Sequence, residues 1–447
     1  VVQVGSPRTI ATFLQRAGRA NHQVGGVPKA RLLPMNRHEL IEGIALLDAI
    51  QRGELDLMQM PVAPLDVLIQ QMVAEVAIRG EDTPDELYAM VTAAAPYADV
   101  TREVFDEALE FSGRGLLTGR GARGAQLSLD PINNTVRPRR SASMAAIMNG
   151  GTIPDLGDYN VILDPDNVVI GQLSEDFAIE SSVGDVFLLG THAWRVTRVD
   201  QSTVRVVDAD GAAPSVPFWF GESPARTWEL SAAVSRLHDI VRDPLTVRNG
   251  DDARSTLSAI PGVSAEAADQ AVAFLSRSLD ILGDLPTQTN IIVERFFDET
   301  GSMQFVVHAP FGARVNRALG LALRKKFCVT FDFELQAAAD DDAVTIALGP
   351  HHSMPLESVM TLVKSATVRD TLTQAVLPLP MLKTRWRWNG VRSLAISRTI
   401  SGRRRPIQHI RMDAEDLMAV AWPSLAACQE NAPAGPIPIP DHILVRH

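Results

Sequence analysis

Gln15, Arg16 and Arg19, within the run Phe13-Leu14-Gln15-Arg16-Ala17-Gly18-Arg19-Ala20-Asn21-His22, are the residues of this 447-residue chain best suited to phosphoryl charge. The arginine fork is planar, stays charged and binds phosphate oxygens bidentately. The run follows Val1-Val2-Gln3-Val4, which alternates like a buried strand end, and Gly5-Ser6-Pro7, a turn signal. Thr9 then suits an N-cap, with Ile10, Phe13, Leu14 and Ala17 at helical spacing. On such a helix Gln15, Arg16 and Arg19 project from the end nearest the strand, so two guanidiniums could reach one anionic ligand. The alternative for these residues alone is a solvated, arginine-bearing helix.

Other residues suit nucleic acid. Trp219, in Val216-Pro217-Phe218-Trp219-Phe220, reads either as a core aromatic or as a platform for an unpaired base. Trp386 and Trp388 alternate with Arg385 and Arg387; on a strand this puts both tryptophans on one face and two phosphate-facing arginines on the other. Arg137, Arg139 and Arg140 form a basic cluster that could equally be a solvated loop. Between Phe111 and Pro154 the only acid is Asp130, and from Thr371 to Met412 there is none, although the net charge is −11. The expectation is local basic surfaces on an acidic body, binding single strands in a salt-dependent way.

Several other patterns carry no chemistry. His38-Glu39-Leu40-Ile41-Glu42 lacks the second histidine of a zinc helix, and no metal site is expected. Asp106-Glu107-Ala108-Leu109 imitates an ATPase acidic box but lies on an amphipathic helix. No Gly-Lys-Ser/Thr occurs in the chain, so no Walker A loop is present to cradle phosphates and Mg²⁺, and no Walker B box is recognised either.

The elements that position these residues can be read from periodicity. The length implies roughly three domains at ~100–200 residues each. Composition, 46% hydrophobic and 21% charged, is that of an ordinary globular protein. Two distant cysteines, Cys328 and Cys428, fit a reducing cytoplasm, and no apolar run reaches the ~20 residues that span a bilayer. Lys29–Leu33 reads as a second strand, and Asn36 as the cap of a helix closed by Gly53. Three helices follow from Pro64, Thr83 and Thr101; with the basic hairpin after them, this order suits a winged helix over 56–130. From Gly151 to Glu222 the period falls to two, as in a small antiparallel β-barrel, a module placed at 131–228. Helices over Ser231–Val241 and Ser264–Leu282 come next. The rest of 229–447 is mixed α/β: strand pairs Ile291–Phe297 with Phe305–His308 and Phe327–Leu335 with Val344–Leu348, a helix Arg314–Lys326, and then mainly helix. Val1 opens inside a strand–helix unit, which suggests a fragment.

The opening run resembles the sixth motif of superfamily-two helicases, and further blocks extend the likeness across the chain. Gly150-Gly151-Thr152-Ile153-Pro154-Asp155, Pro217-Phe218-Trp219, His308-Ala309-Pro310-Phe311-Gly312, Arg385-Trp386-Arg387-Trp388-Asn389 and Cys428-Gln429-Glu430-Asn431 resemble blocks of the large helicase-related (Lhr) family, in the same order. The resemblance implies a multidomain α+β chain in which 1–55 is the end of a second RecA-like lobe and 229–447 is a DEAD/H-associated region. It also implies the C-terminal part of an ATP-dependent DNA helicase. Arg16 and Arg19 would be catalytic, and with Gln15 and His22 they would reach ATP and Mg²⁺ held by RecA lobes missing from this chain. Single-stranded DNA or a DNA/RNA hybrid would be the track. Asn21 stands where the motif usually has glycine. The competing class is a stand-alone nucleic-acid-binding or adaptor protein without a motor.

Overall fold

The computed structural model describes all residues except 22–24, 120, 154–156, 182, 201, 213–224, 298–300, 302, 332–335, 348–358, 360, 401, 428–434 and 447. The chain divides into two compact units, one of Val1–Met58 with Pro224–Ala375 and the other of Gln59–Ser223 with Val376–His447. The region 229–447 contributes residues 229–375 to the first unit and residues 376–447 to the second.

In the first unit, strands Val2–Val4 and Arg31–Leu33 pair in parallel, with Gln3 opposite Leu32. Between them runs helix Ile10–Ala17, capped by the Thr9 hydroxyl, which accepts from the Thr12 amide. Helix Arg37–Gln51 begins at Asn36, whose side chain accepts from Glu39 N at 2.9 Å. Both caps fall where the sequence placed them. Ile10, Phe13, Leu40, Ile41 and Ile44 share one core with Leu230, Val234, Leu237 and Val241 of helix Trp228–Thr246 and Leu275 of helix Ala265–Leu282. A further helix, Gly250–Ser258, lies between these two in sequence and was not anticipated.

The remainder of this unit is a four-stranded antiparallel sheet in the order Ile292–Phe297, Met303–His308, Ala343–Ala347, Gln336–Ala339. Period-two alternation buries Met303, Phe305 and Val307 against Leu323 and Phe327 of helix Ala313–Phe331. The strand expected over Phe327–Leu335 is corrected, since the helix runs on to Phe331 and the edge strand is Gln336–Ala339. Phe-Cys-Val-Thr-Phe has strand-like composition, but burying Phe327 on the sheet at helical spacing from Leu323 outweighs that local preference.

In the second unit, helices Leu65–Arg79, Pro84–Thr92 and Arg102–Arg114 precede two short hairpins, Leu116–Thr118 with Gly121–Arg123 and Leu127–Asp130 with Thr135–Pro138. Thr83 and Glu86 close a reciprocal capping box with Pro84 in the first turn. Leu68, Ile69, Met72, Phe105 and Leu109 form one core with Trp386, Ile396, Leu417 and Trp422, so helices Pro380–Arg392 and Ile407–Ala421 complete this helical body.

The five-stranded sheet of this unit has the order Val168–Ser174, Asp158–Leu163, Thr203–Asp208, His192–Val199, Val186–Leu189. It is a half-barrel. Among the described residues its two edge strands are not paired to each other, yet a Cβ on Gly171 of one would come within 2.8 Å of Leu189 of the other. The antiparallel expectation is corrected at one pairing, because Thr203–Asp208 runs parallel to Asp158–Leu163. Side-chain alternation reports which face is buried and carries no information on strand direction.

Candidate nucleotide and nucleic-acid interface

Gln15, Arg16 and Arg19 are exposed on and just after the helix that leaves the parallel strand. The Arg16 guanidinium donates to Gln3 Oε1 at 2.6 Å, and buried Gln3 is fixed in turn by donating Nε2 to the carbonyls of Val4 and Gly5, each at 3.0 Å. Gln3 therefore orients Arg16, a role that strand alternation alone did not reveal. Among the described residues, the side chains of Gln15 and Arg19 have no hydrogen bond or ion pair. Asn21 sits at φ +51°, a left-handed conformation that asparagine tolerates better than most residues, so it substitutes there for glycine at small cost. His22 lies outside the described residues.

The start of this helix is held by charge, part of it buried. Asp56 accepts from the Ala11 amide at 2.6 Å and from the Thr227 hydroxyl at 2.5 Å, so a carboxylate of this chain already occupies the helix N-terminus. Arg8 pairs with Asp341 at 2.7 Å and Glu42 at 3.3 Å. Ser6 also donates to Glu42. Buried Arg226 contacts Asp342 at 2.5 Å and Glu42 at 3.6 Å, and its Nε donates to Ser231 at 3.0 Å. Close approach is needed here: Gly312, at φ +87°, would place a Cβ 2.6 Å from the Arg226 carbonyl.

The electrostatics follow from burial and pairing. Burial pushes the Glu42 carboxyl above the usual range, opposed by Arg226, Ser6 and Arg8. Burial acts the same way on Asp342, but the charge and hydrogen bonding of Arg226 outweigh it and hold that carboxyl low. This cluster joins the loop before the arginine helix to the Asp340–Asp342 turn of the sheet. Its chemistry is scaffolding, because the guanidiniums are satisfied by carboxylates within the unit.

Burial also pushes the His238 imidazole down, against the opposing pull of the Pro286 carbonyl, which lies 2.7 Å from Nδ1. The unfolded chain then takes up a proton before the folded one, so this contribution to stability is full above about pH 6.5 and is lost as pH falls below it. The midpoint of the His238 ring resonances in the folded protein should lie below that value. An ordinary midpoint in an NMR titration would contradict the assignment.

In the second unit most of the suspected basic surface is consumed internally. Arg137 pairs with Glu81 at 2.6 Å, and Arg139 donates to the Leu127 and Gly113 carbonyls at 2.6 and 2.9 Å. Arg140 is exposed and, among the described residues, has no such partner. Arg123 and Arg405 both reach Asp413 at 2.7 Å, and Arg392 reaches Asp66 at 2.5 Å. Buried Glu175 accepts from both terminal guanidinium nitrogens of Arg387 and from Arg411 at 2.5 Å, and accepts from the Gly157 amide at 3.1 Å.

The strand reading of Arg385-Trp386-Arg387-Trp388 is corrected, because these residues lie on helix Pro380–Arg392. On a helix, residues two apart point in nearly opposite directions. Trp386 enters the core and donates Nε1 to the Ala414 carbonyl at 2.9 Å, whereas Trp388 lies under the exposed Arg385 guanidinium, 4.8 Å from the ring centre. Arg387 has no phosphate-facing side left. Trp219 lies outside the described residues.

A cleft of about 780 Å³ in the first unit is lined by Phe13, Arg31, Leu33, Met35, Leu40 and Gln270 among others, and includes none of Gln15, Arg16 and Arg19. These side chains are exposed to solvent outside that cleft.

Residues 48–216 match the family described as large helicase-related protein, winged helix domain, and residues 285–446 match the DEAD/H associated family. The chain is 31% identical over 94% of its length to the Lhr helicase/probable uracil glycosylase of Mycolicibacterium smegmatis, covering 28% of that protein. It is 28% identical, again over 94% of its length, to ATP-dependent helicase Lhr-Core protein 2 of Thermococcus barophilus, covering 48% of it. The chain thus spans between about a quarter and a half of these relatives. A solved structure of Mycobacterium smegmatis helicase Lhr bound to ssDNA and AMP-PNP superimposes with a TM-score of 0.73 at 27% identity, over 95% of this chain and 50% of that one.

Proposed function

Because this chain belongs to the Lhr family, matching a portion of its helicases, we propose that it is the C-terminal part of an ATP-dependent DNA helicase or translocase. In this reading Val1–Met58 is the end of a second RecA-like lobe, and the three helices and hairpins after Gln59 are a winged helix. Arg16 and Arg19, with Gln15 and His22, meet ATP and its Mg²⁺ on lobes outside this chain. ATP bound there supplies the transferable phosphoryl group. The part played by this chain is to present fixed guanidiniums to the charge that develops on it. The observation that carries the reading is the state of the arginine motif: Arg16 is pre-oriented by Gln3 while Arg19 is left uncommitted.

The proposed track is single-stranded DNA or a DNA/RNA hybrid, with Trp219 as a stacking platform, and the proposed setting is the cytoplasm. Among the described residues no helix is long and apolar enough to cross a membrane. A motorless adaptor is less well supported, given that the proteins similar to this chain over most of its length are helicases.

The chain carries no Gly-Lys-Ser/Thr loop. The purified chain should therefore show no ATPase activity above background, even with Mg²⁺ and single-stranded DNA, while the full-length protein hydrolyses ATP. DNA-stimulated turnover by the chain alone would overturn this division of labour.

A further inference from the structure

We propose that the outer face of helix Ala313–Phe331, with the Trp228–Phe311 ring pair at its N-terminal end, is a track for single-stranded nucleic acid; this deepens the helicase reading above and rests on it. The helix carries Arg314, Arg317, Arg324, Lys325 and Lys326 and no acid. Among the described residues none of these five cations has an ion pair or a side-chain hydrogen bond. This sets them apart from Arg137, Arg387, Arg392, Arg405 and Arg411, which are neutralised within their own unit.

Geometry places them in a row. At about 100° per residue, Arg314, Arg317, Arg324 and Lys325 share one stripe, and at ~1.5 Å per residue the row is about 16 Å long. The opposite face, with Leu323 and Phe327, is buried on the four-stranded sheet, so the stripe cannot turn inward. Arg314, Arg317 and Arg324 are exposed.

At the start of the row, Trp228 is 52% exposed and stacks on Phe311, with ring centres 6.0 Å apart and planes 11° from parallel. An exposed indole backed by a second ring provides a flat, rigid surface for a base, and the cations beyond it suit successive phosphates. Nearby acids do not cancel the row. Asp341 accepts from the Ala313 and Arg226 amides at 2.8 and 2.9 Å and pairs with Arg8, and Asp342 is held by Arg226. Glu229, next to Trp228, is half-buried. The combination of aromatic stack and unpaired cations favours a single strand over an acidic protein segment, which needs the cations alone.

Fluorescence anisotropy with labelled oligo-dT tests this in the chain as it stands. The variant Arg314→Gln/Arg317→Gln/Arg324→Gln/Lys325→Gln keeps good helix formers and removes four positive charges. Its Kd should rise at least tenfold at low salt, and the slope of log K against log salt should fall by about 2–3, given ~0.7 per phosphate contact on single strands. Trp228→Ala should raise Kd by roughly tenfold with the slope unchanged, and Trp228→Phe should restore most of the affinity. Thermal midpoints matching the wild type establish that each variant is folded.

An unchanged slope in the folded quadruple variant overturns the track alone. Absence of oligo-dT binding by the wild-type chain overturns both the track and the DNA-binding role of this chain. Competition by poly-glutamate equal to that by unlabelled oligo-dT of the same charge overturns the assignment to nucleic acid.

Discussion

Arg19→Ala in the full-length protein is expected to lower DNA-stimulated ATP hydrolysis by about three orders of magnitude or more, the range over which an arginine stabilises phosphoryl transfer. Arg19→Lys should not rescue it, because an ammonium cannot reproduce the planar fork. Arg16→Ala should behave similarly. Gln3→Ala should cost much less, of order tenfold in kcat with little change in KM, since it removes only the 2.6 Å hydrogen bond that orients Arg16. Trp219→Ala supplies the contrast: hydrolysis should largely survive while unwinding falls, because a strand that no longer stacks can slip between cycles. Hydrolysis and unwinding falling in equal proportion would assign Trp219 to general DNA binding, and insoluble protein would assign it to a core. Undiminished hydrolysis by Arg19→Ala would remove the arginine motif from the mechanism.

Glu175→Ala should produce the largest loss of stability. Glu175 is buried between Arg387 and Arg411 and also holds the Gly157 amide, so deleting it strands a buried guanidinium without its carboxylate. Breaking a buried pair in this way typically costs ~3–5 kcal/mol. For a unit of this size that corresponds to a fall in Tm of roughly 6–20 °C. The double variant Glu175→Leu/Arg387→Met should recover part of it, since replacing both partners leaves no naked charge. A calorimetric Tm within about 2 °C of wild type for Glu175→Ala would show that Arg387 and Arg411 find other partners.

Local physics was legible in the sequence. The caps Thr9, Asn36, Thr83 with Glu86, and Thr101 each start the helix their side chains announce, because a cap needs only neighbours within three residues. The exposed placement of Gln15, Arg16 and Arg19 follows from the same local rules.

What stayed hidden depends on partners far away in sequence. Arg8 meets Asp341 across 333 residues and Arg123 meets Asp413 across 290, so an acid-free stretch reads as a basic surface until folding supplies its acids. Arg226 is almost fully buried, a rare state for arginine that no local pattern signals. The tryptophan–arginine alternation after Lys383 misled because period two was present without a strand: Pro380 opens a helix whose one inward tryptophan finds the Ala414 carbonyl. The cations of Ala313–Phe331 make no contiguous basic run in the sequence because they alternate with the residues that pack on the sheet.

The alternation of the chain between its two units also constrains biosynthesis. Helix Arg37–Gln51 leaves the ribosome before its core partners Leu230 and Val234, which lie about 190 residues further along the chain. At ~5–20 residues per second its apolar face waits about 10–40 s. The winged-helix-like segment waits longer still, since Trp386, Leu417 and Trp422 follow its core residues Leu68 and Phe105 by about 300 residues. Neither unit can finish folding until its second segment has been made, and stretches such as Leu65–Arg79 are until then natural clients for a holding chaperone. A nonsense codon at Val376 would leave the first unit with all its residues and the second without its last two large helices, and that incomplete unit is where degradation by cellular proteases would begin.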